Sequence, residues 1–386
     1  MADQLNTIFD FVRNSEKMRI LIEINTKLNI NKFPNNKLVF VYSAPKVGST
    51  SIVSSLRIFG TDKISVIHIH DEEMLRILGK VTGVTINEII LYNKHLGRDI
   101  YVIDVYRSPV ERKISSYFEK IGTHHFNNKD EIVNNYNINK VINRFNNILL
   151  YIANGDHFMD KYDITIPATF DHSNKYLLVQ ENGIKYIKLR LKDSALWGNI
   201  LTKIFGTNIK AIKDYESSNK PIKDLYSRFK REYKIPKNFL DELTKCKYFN
   251  YYYSEQERQE YINEWTIKST KEFIPYTPDQ YTVYEQITIE NTHIDYIQLN
   301  HYMDEGCLCK ACSIKRCEMA NKLNIGMSVT DRIVHSQAKN ELLVKRAERV
   351  NRINANIARQ LQNPQIKNGR KDFNREMSNV VGGRKI

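Results

Sequence analysis

The sequence predicts an α/β fold in which a parallel sheet is flanked by helices. Two segments lead to this prediction. The apolar run Lys37–Tyr42 has the composition of a buried strand, and a turn rich in Gly, Ser and Thr connects it to an amphipathic run at 50–59. The β-branched run Ile100–Tyr106 likewise ends in a turn, and a helical pattern begins at Pro109. Strands that alternate with helices indicate a parallel sheet.

The turn after the first strand has the composition of an anion-binding loop. Gly48 is followed by Ser49, Thr50 and Ser51 where the helix begins. Such a turn combines free backbone N–H groups, hydroxyls and the positive end of a helix dipole, and phosphate is the usual anion bound there. In a Walker loop the lysine follows the second glycine, whereas Lys46 precedes Gly48 here. This order argues against ordinary P-loop nucleotide hydrolysis.

The turn after the second strand offers a guanidinium and a hydroxyl. Arg107 stands at the carboxyl end of the predicted strand, and Ser115 lies about two helical turns further on. Ligands of open parallel sheets bind at the carboxyl ends of the strands. A guanidinium can hold a phosphate with two hydrogen bonds. The two turns together therefore suit a ligand with two separate phosphates.

Both turns resemble motifs of sulfotransferases that use 3′-phosphoadenosine 5′-phosphosulfate. The stretch from Pro45 to Ser51 is similar to their 5′-phosphosulfate loop, and the stretch from Arg107 to Ser115 is similar to their 3′-phosphate motif. Within this group the chain resembles capsular polysaccharide synthesis proteins named after an Asn-Lys-Trp-Tyr-Ser motif, over about residues 35–268. The supporting segments are 66–70, 186–191, 219–220, 224–236 and 247–255.

This resemblance implies a P-loop-like sulfotransferase core, the phosphosulfate as co-substrate, and a carbohydrate hydroxyl in a polysaccharide or glycan as acceptor. It implies that Lys46 neutralises charge on the departing 5′-phosphate. The residues implied to hold the 5′-phosphate are Lys46, Gly48, Ser49, Thr50 and Ser51, and those implied to hold the 3′-phosphate are Arg107 and Ser115.

The acceptor hydroxyl needs a general base, and two histidines are candidates. His68 and His70 share one face of a predicted strand at 65–70, whose end approaches the phosphate loop. Imidazole accepts protons near neutral pH. We rank His70 first, His68 second and the acidic cluster 71–73 third; the alternative is a pair of structural histidines.

Two departures from the family pattern support a second hypothesis. Pro-Ile-Lys replaces Trp-Tyr-Ser after Asn219-Lys220, and Lys192 stands where an acidic residue is expected. The alternative function is therefore a non-catalytic binding or assembly protein on a degenerate sulfotransferase scaffold. It would act through a cysteine cluster and a basic tail.

The cysteine cluster comprises Cys307, Cys309, Cys312 and Cys317. Four thiolates can complete a tetrahedral zinc site, and clustered cysteines without a secretory signal favour a metal over disulfides. One structural zinc is thus predicted. Free or redox-active thiols and disulfides are the alternatives.

The basic tail carries much of the net charge of +14. From residue 331 to the end there are thirteen Lys or Arg and five Asp or Glu, and 342–361 has helical apolar spacing. Such a segment can bind nucleic acid or an anionic surface; the alternative is a solvated helix with a frayed end.

Four regions are predicted along the chain. They are a helical lead at 1–35, the α/β domain with a helical continuation at 36–272, a Cys-rich segment at 279–325, and the basic helix with a disordered tail at 326–386. The sequence has neither a signal-peptide pattern nor an apolar run of about 18 residues. We therefore expect a cytoplasmic protein without a transmembrane segment.

Overall fold

The computed structural model describes most of the chain between residues 14 and 276. The described ranges are 14–32, 35–60, 63–79, 81–119, 121, 137–148, 155–213, 222–271 and 273–276. The predicted phosphate loops and histidines fall within them. The cysteine cluster, the regions 279–325 and 326–386, and Asn219-Lys220 lie outside the described residues.

A five-stranded sheet in the order β2-β1-β3-β5-β4 forms the centre of this part of the chain. Its strands are β1 (Lys37–Tyr42), β2 (Ile64–Ile69), β3 (Ile100–Tyr106), β4 (Tyr176–Glu181) and β5 (Ile184–Arg190). Strands β2, β1, β3 and β5 are parallel, and β4 joins the edge antiparallel to β5. The prediction of an α/β fold with a mostly parallel sheet flanked by helices is confirmed.

Helices precede, connect and follow the strands. They are α1 (Ser15–Lys27), α2 (Ser49–Phe59), α3 (Glu72–Gly79), α4 (Ile86–His95), α5 (Pro109–Glu119), α6 (Ile138–Ile148), α7 (His157–Asp160), α8 (Trp197–Phe205), α9 (Lys223–Glu232), α10 (Lys237–Thr244), α11 (Lys247–Tyr252) and α12 (Glu255–Ile267). Short 3₁₀ helices occupy Ile30–Lys32 and Leu191–Leu196. Two short parallel strands, β6 (Ile235–Pro236) and β7 (Ser269–Thr270), pair near the end of the described chain.

The two faces of the sheet are buried in separate cores. Successive residues of a strand point to opposite faces. Val39 and Val41 of β1 pack with α2 and α8 in one core, whereas Leu38 and Phe40 pack with α1, α4 and α5 in the other. The helices that follow β1 and β3 therefore lie on opposite faces. A topological switch point consequently falls between these adjacent strands, which is where open α/β sheets bind their ligands.

The predicted elements agree closely with the observed ones. Helix α2 begins at Ser49, one residue before the predicted start, and Pro109 is the first residue of α5. Proline suits this position because its missing N–H would have no partner inside the helix. In the described ranges no helix is both long enough and apolar enough to cross a membrane.

Candidate functional site

The loop between β1 and α2 has a backbone shape that only certain residues tolerate. Lys46 and Gly48 have positive φ angles of 66° and 94°. The left-handed φ of Gly48 favours glycine, and a Cβ atom there would lie 2.8 Å from Leu191 Cδ1 and 3.3 Å from the Trp197 ring, so a larger residue would also displace Leu191. The first turn of α2 contains the predicted hydroxyl residues Ser49, Thr50 and Ser51. The loop therefore presents a helix N-terminus with three hydroxyls.

Arg107 connects the second predicted segment to this loop. It directly follows β3, and its Nη1 donates a hydrogen bond to the carbonyl oxygen of Lys46 at 2.9 Å. Arg107 Nε is buried and meets no acceptor within the described ranges. Burial lowers the pKa of Arg107, and the neighbouring Tyr226 and Glu111 partly oppose that decrease. An arginine side chain remains protonated despite such a shift. A buried donor beside the loop fits an anionic ligand, whose oxygen would satisfy it.

Lys46 points toward α5, where it meets a carboxylate. Its Nζ lies 2.8 Å from Glu119 Oε2, and the two side chains are only 19% and 18% exposed. Ser115, the other predicted 3′-phosphate residue, is buried on the same helix one turn earlier. The motifs contained no signal for Glu119, because it lies beyond the serine that ends the second motif.

The two candidate histidines have different partners. His68 Nε2 hydrogen-bonds Ser49 Oγ at 3.0 Å, so this imidazole contacts the phosphate loop. His70 Nδ1 donates to the carbonyl oxygen of Ser43 at 2.6 Å. A proton on Nδ1 leaves the lone pair of a neutral imidazole on Nε2, which is the form a general base needs. The two rings meet edge to face with centroids 4.7 Å apart.

A third histidine supports this pair and was not found from the sequence. His157 Nε2 donates to the carbonyl oxygen of His70 at 2.5 Å, and its ring packs edge-on against Tyr42 with centroids 4.8 Å apart. It begins α7, about ninety residues downstream of the candidate base. No local motif predicts such a distant contact.

Within the third-ranked acidic cluster, Asp71 has a local structural role. Its Oδ1 accepts a hydrogen bond from Met74 N at 2.8 Å, which caps the start of α3. Capping by aspartate stabilises a helix N-terminus.

A buried charge cluster lies behind the site. Lys188 of β5 pairs with Asp104 of β3 at 2.6 Å and also with Asp156, and all three side chains are at most 3% exposed. Tyr252 donates to Asp156 at 2.7 Å. Burial raises the pKa of Asp156, and the Lys188 ammonium opposes that change. The sequence signal for such a cluster is a charged residue, Lys188, inside an otherwise apolar strand.

No family model, curated protein or solved structure matches this chain. Its function can therefore be inferred from the site geometry and from the motifs. Residues 14–276, where described, contain no cluster of three or more His, Cys, Asp or Glu side chains suited to a metal ion. The predicted zinc ligands lie outside those residues.

Proposed function

We propose that this chain has a sulfotransferase core and transfers a sulfuryl group from 3′-phosphoadenosine 5′-phosphosulfate to a hydroxyl of a carbohydrate in a polysaccharide or glycan. The observation that carries the proposal is the hydrogen bond from Arg107 to the Lys46 carbonyl oxygen. It joins the two segments assigned to the two phosphates. Both segments follow adjacent strands at the switch point of the sheet, which supports one ligand spanning them.

Each phosphate of the donor has its own set of groups in this proposal. The N–H groups and hydroxyls of the first turn of α2, together with the Lys46 ammonium, hold the 5′-phosphate. The buried Nε of Arg107 and the hydroxyl of Ser115 hold the 3′-phosphate. A second phosphate site distinguishes this donor from ATP, which lacks a 3′-phosphate.

The reaction is an in-line displacement at sulfur. A bond forms between the acceptor oxygen and sulfur while the bond from sulfur to the phosphate oxygen breaks, and the leaving phosphate takes the electron pair. His70 Nε2 accepts the hydroxyl proton, because Nδ1 already donates to Ser43. Lys46 neutralises the charge that develops on the leaving oxygen. Alignment and charge stabilisation are the main requirements of such transfers.

Arg107→Ala is expected to abolish tight binding of 3′,5′-adenosine bisphosphate, the product of the donor. Removing the guanidinium deletes the cation assigned to the 3′-phosphate, and charge-assisted hydrogen bonds of this type contribute roughly 1.5–3 kcal/mol each. Isothermal titration calorimetry should show micromolar binding to the wild-type protein and at least tenfold weaker binding to the variant. ATP should bind the wild-type protein much more weakly than the bisphosphate.

The matched control is Arg231→Ala, which removes an exposed arginine that pairs only weakly with its neighbour. It should leave nucleotide affinity unchanged. Absence of bisphosphate binding in well-folded wild-type protein would overturn the proposal. It would favour the alternative of a binding or assembly protein that acts through the cysteine cluster and the basic tail, with nucleic acid or an anionic surface as partner.

His70→Asn is expected to lower kcat of sulfuryl transfer by about 10²–10⁴-fold, with little change in KM for the donor. Asparagine can still donate to the Ser43 carbonyl oxygen but cannot accept the proton. His68→Gln is the matched comparison, since its amide can replace the contact with Ser49. A larger loss of kcat in His68→Gln than in His70→Asn would transfer the role of base to His68.

A further inference from the structure

Lys46 is paired with a carboxylate although the proposed function assigns its ammonium to a phosphate. The Nζ–Oε2 distance to Glu119 is 2.8 Å, and both groups are more than four-fifths buried. Ion pairs shielded from solvent interact more strongly than exposed ones. An anion that approaches the loop therefore meets a neutralised pair with a carboxylate beside it.

The backbone at Lys46 is held in a restricted conformation. Its φ angle of 66° is left-handed, and Arg107 holds its carbonyl oxygen at 2.9 Å. On α5, Glu111, Ser115 and Glu119 recur at intervals of four residues, which places them on roughly one side of the helix. Glu111 Oε2 accepts a hydrogen bond from the Tyr261 hydroxyl at 2.5 Å, whereas Glu119 Oε2 accepts one from Lys46 Nζ.

We infer that Glu119 competes with the phosphate-bearing ligand for the ammonium of Lys46 and thereby sets which anions the loop accepts. This inference rests on the proposed function for the identity of the ligand. A ligand with several negative charges can displace the carboxylate, whereas a weakly charged anion cannot. Glu119 is thus a specificity-determining residue that lies outside both phosphate motifs.

Glu119→Asp tests this competition because it keeps the charge and withdraws the carboxylate by one methylene from Lys46. Glu119→Gln removes the charge as well. Calorimetry at low ionic strength, with 3′,5′-adenosine bisphosphate and inorganic pyrophosphate as probes, should show about tenfold tighter binding to both variants. In a Lys46→Met background, the additional Glu119→Asp change should alter affinity less than twofold, since no contact remains to be broken.

The matched control is Glu264→Gln, which removes an exposed carboxylate of α12 and should leave both affinities unchanged. If it tightens binding equally, the effect comes from net charge and the inference fails. Unchanged or weaker binding by Glu119→Asp, in a protein that binds the bisphosphate, would make Glu119 a positioning residue and overturn only this inference.

The pyrophosphate probe separates the inference from the proposed function. Tighter pyrophosphate binding by Glu119→Asp, with no preference for the bisphosphate over ATP, would support the inference and overturn the proposed function. If no variant binds either probe, both are overturned.

Discussion

Replacing Lys188 with methionine is expected to lower the free energy of unfolding by about 3–5 kcal/mol, because it leaves two buried carboxylates without their shared cation. Asp104 and Asp156 lie in contact with Lys188 and are almost completely buried. For a domain of this size the melting temperature should fall by roughly 10 °C. Chemical denaturation and calorimetry measure both quantities.

The loss of stability caused by Lys188→Met should depend on pH. In the wild-type protein, burial and the neighbouring Asp104 raise the pKa of Asp156, and the Lys188 ammonium opposes that rise; without Lys188 the folded-state pKa of Asp156 is higher still. The folded variant then binds more protons than the unfolded chain, so its stability falls as pH rises from the unfolded pKa of Asp156 through its folded pKa. We therefore expect Lys188→Met to be less destabilised at pH 5 than at pH 8.

Lys185→Met is the matched control, since it changes a lysine of the same strand that is 30% exposed and pairs with Asp99 at 3.0 Å. Exposed pairs contribute roughly 0–1 kcal/mol. Equal losses of stability in the two variants would show that the buried cluster contributes no more than a surface pair.

Lys113→Met is expected to stabilise the protein by about 3 kcal/mol at pH 7. Burial lowers the pKa of Lys113 to about 7, and the charge of Glu242 opposes that change. Its Nζ has no hydrogen-bond partner among the described residues, and it lies 5.0 Å from the Phe145 ring and 4.6 Å from the Phe239 ring. The aromatic faces favour the ammonium by about 1–2 kcal/mol, which is less than the cost of burying it.

The stability gained by Lys113→Met should disappear as pH rises. Between about pH 7 and the ordinary lysine pKa of 10.5, the unfolded chain holds a proton that the folded chain lacks. The wild-type unfolding free energy therefore rises in this window by about 1.4 kcal/mol per pH unit from this residue, and the variant lacks that slope. Urea unfolding between pH 6.5 and 10 measures the difference.

Lys210→Met serves as the control for Lys113→Met because Lys210 is exposed. Because it removes an exposed side chain, it should change the free energy of unfolding at pH 7 by no more than about 0.5 kcal/mol. A Lys113 variant that is less stable than the wild type at pH 7 would mean that the ammonium makes favourable contacts which outweigh its burial.

Much of the fold could be predicted from the sequence because the strands carry strong local signals. The run at 37–42 is apolar throughout and is followed by a glycine-containing turn, and 100–106 is followed by Arg-Ser-Pro. A buried parallel strand needs apolar side chains on both faces, so its pattern is visible in one short window. The strand order and the antiparallel edge strand were not predicted, since pairing partners are distant along the chain.

The candidate site was predictable only where its residues belong to a compact motif. Gly48 was found because its turn leads directly into a helix, and Arg107 because it ends a strand. Glu119, His157 and Lys188 were missed because each has a partner at least 73 residues away, namely Lys46, His70 and Asp104. Contacts between residues so far apart in the sequence depend on how helices and strands pack. The periodicity of a single segment cannot predict them.

The described chain has two parts, one before and one after about residue 150, which should tolerate substitutions differently. Every motif residue of the candidate site lies between positions 43 and 119, on β2 or on the loops and helices that follow β1, β2 and β3. The described residues from 155 to 276 supply β5, Asp156 and the helices that bury the charge cluster. Substitutions that abolish ligand binding in a folded protein should therefore concentrate between positions 43 and 119. Among the described residues from 155 to 276, substitutions should instead reduce the amount of folded protein, because these side chains support the site from behind.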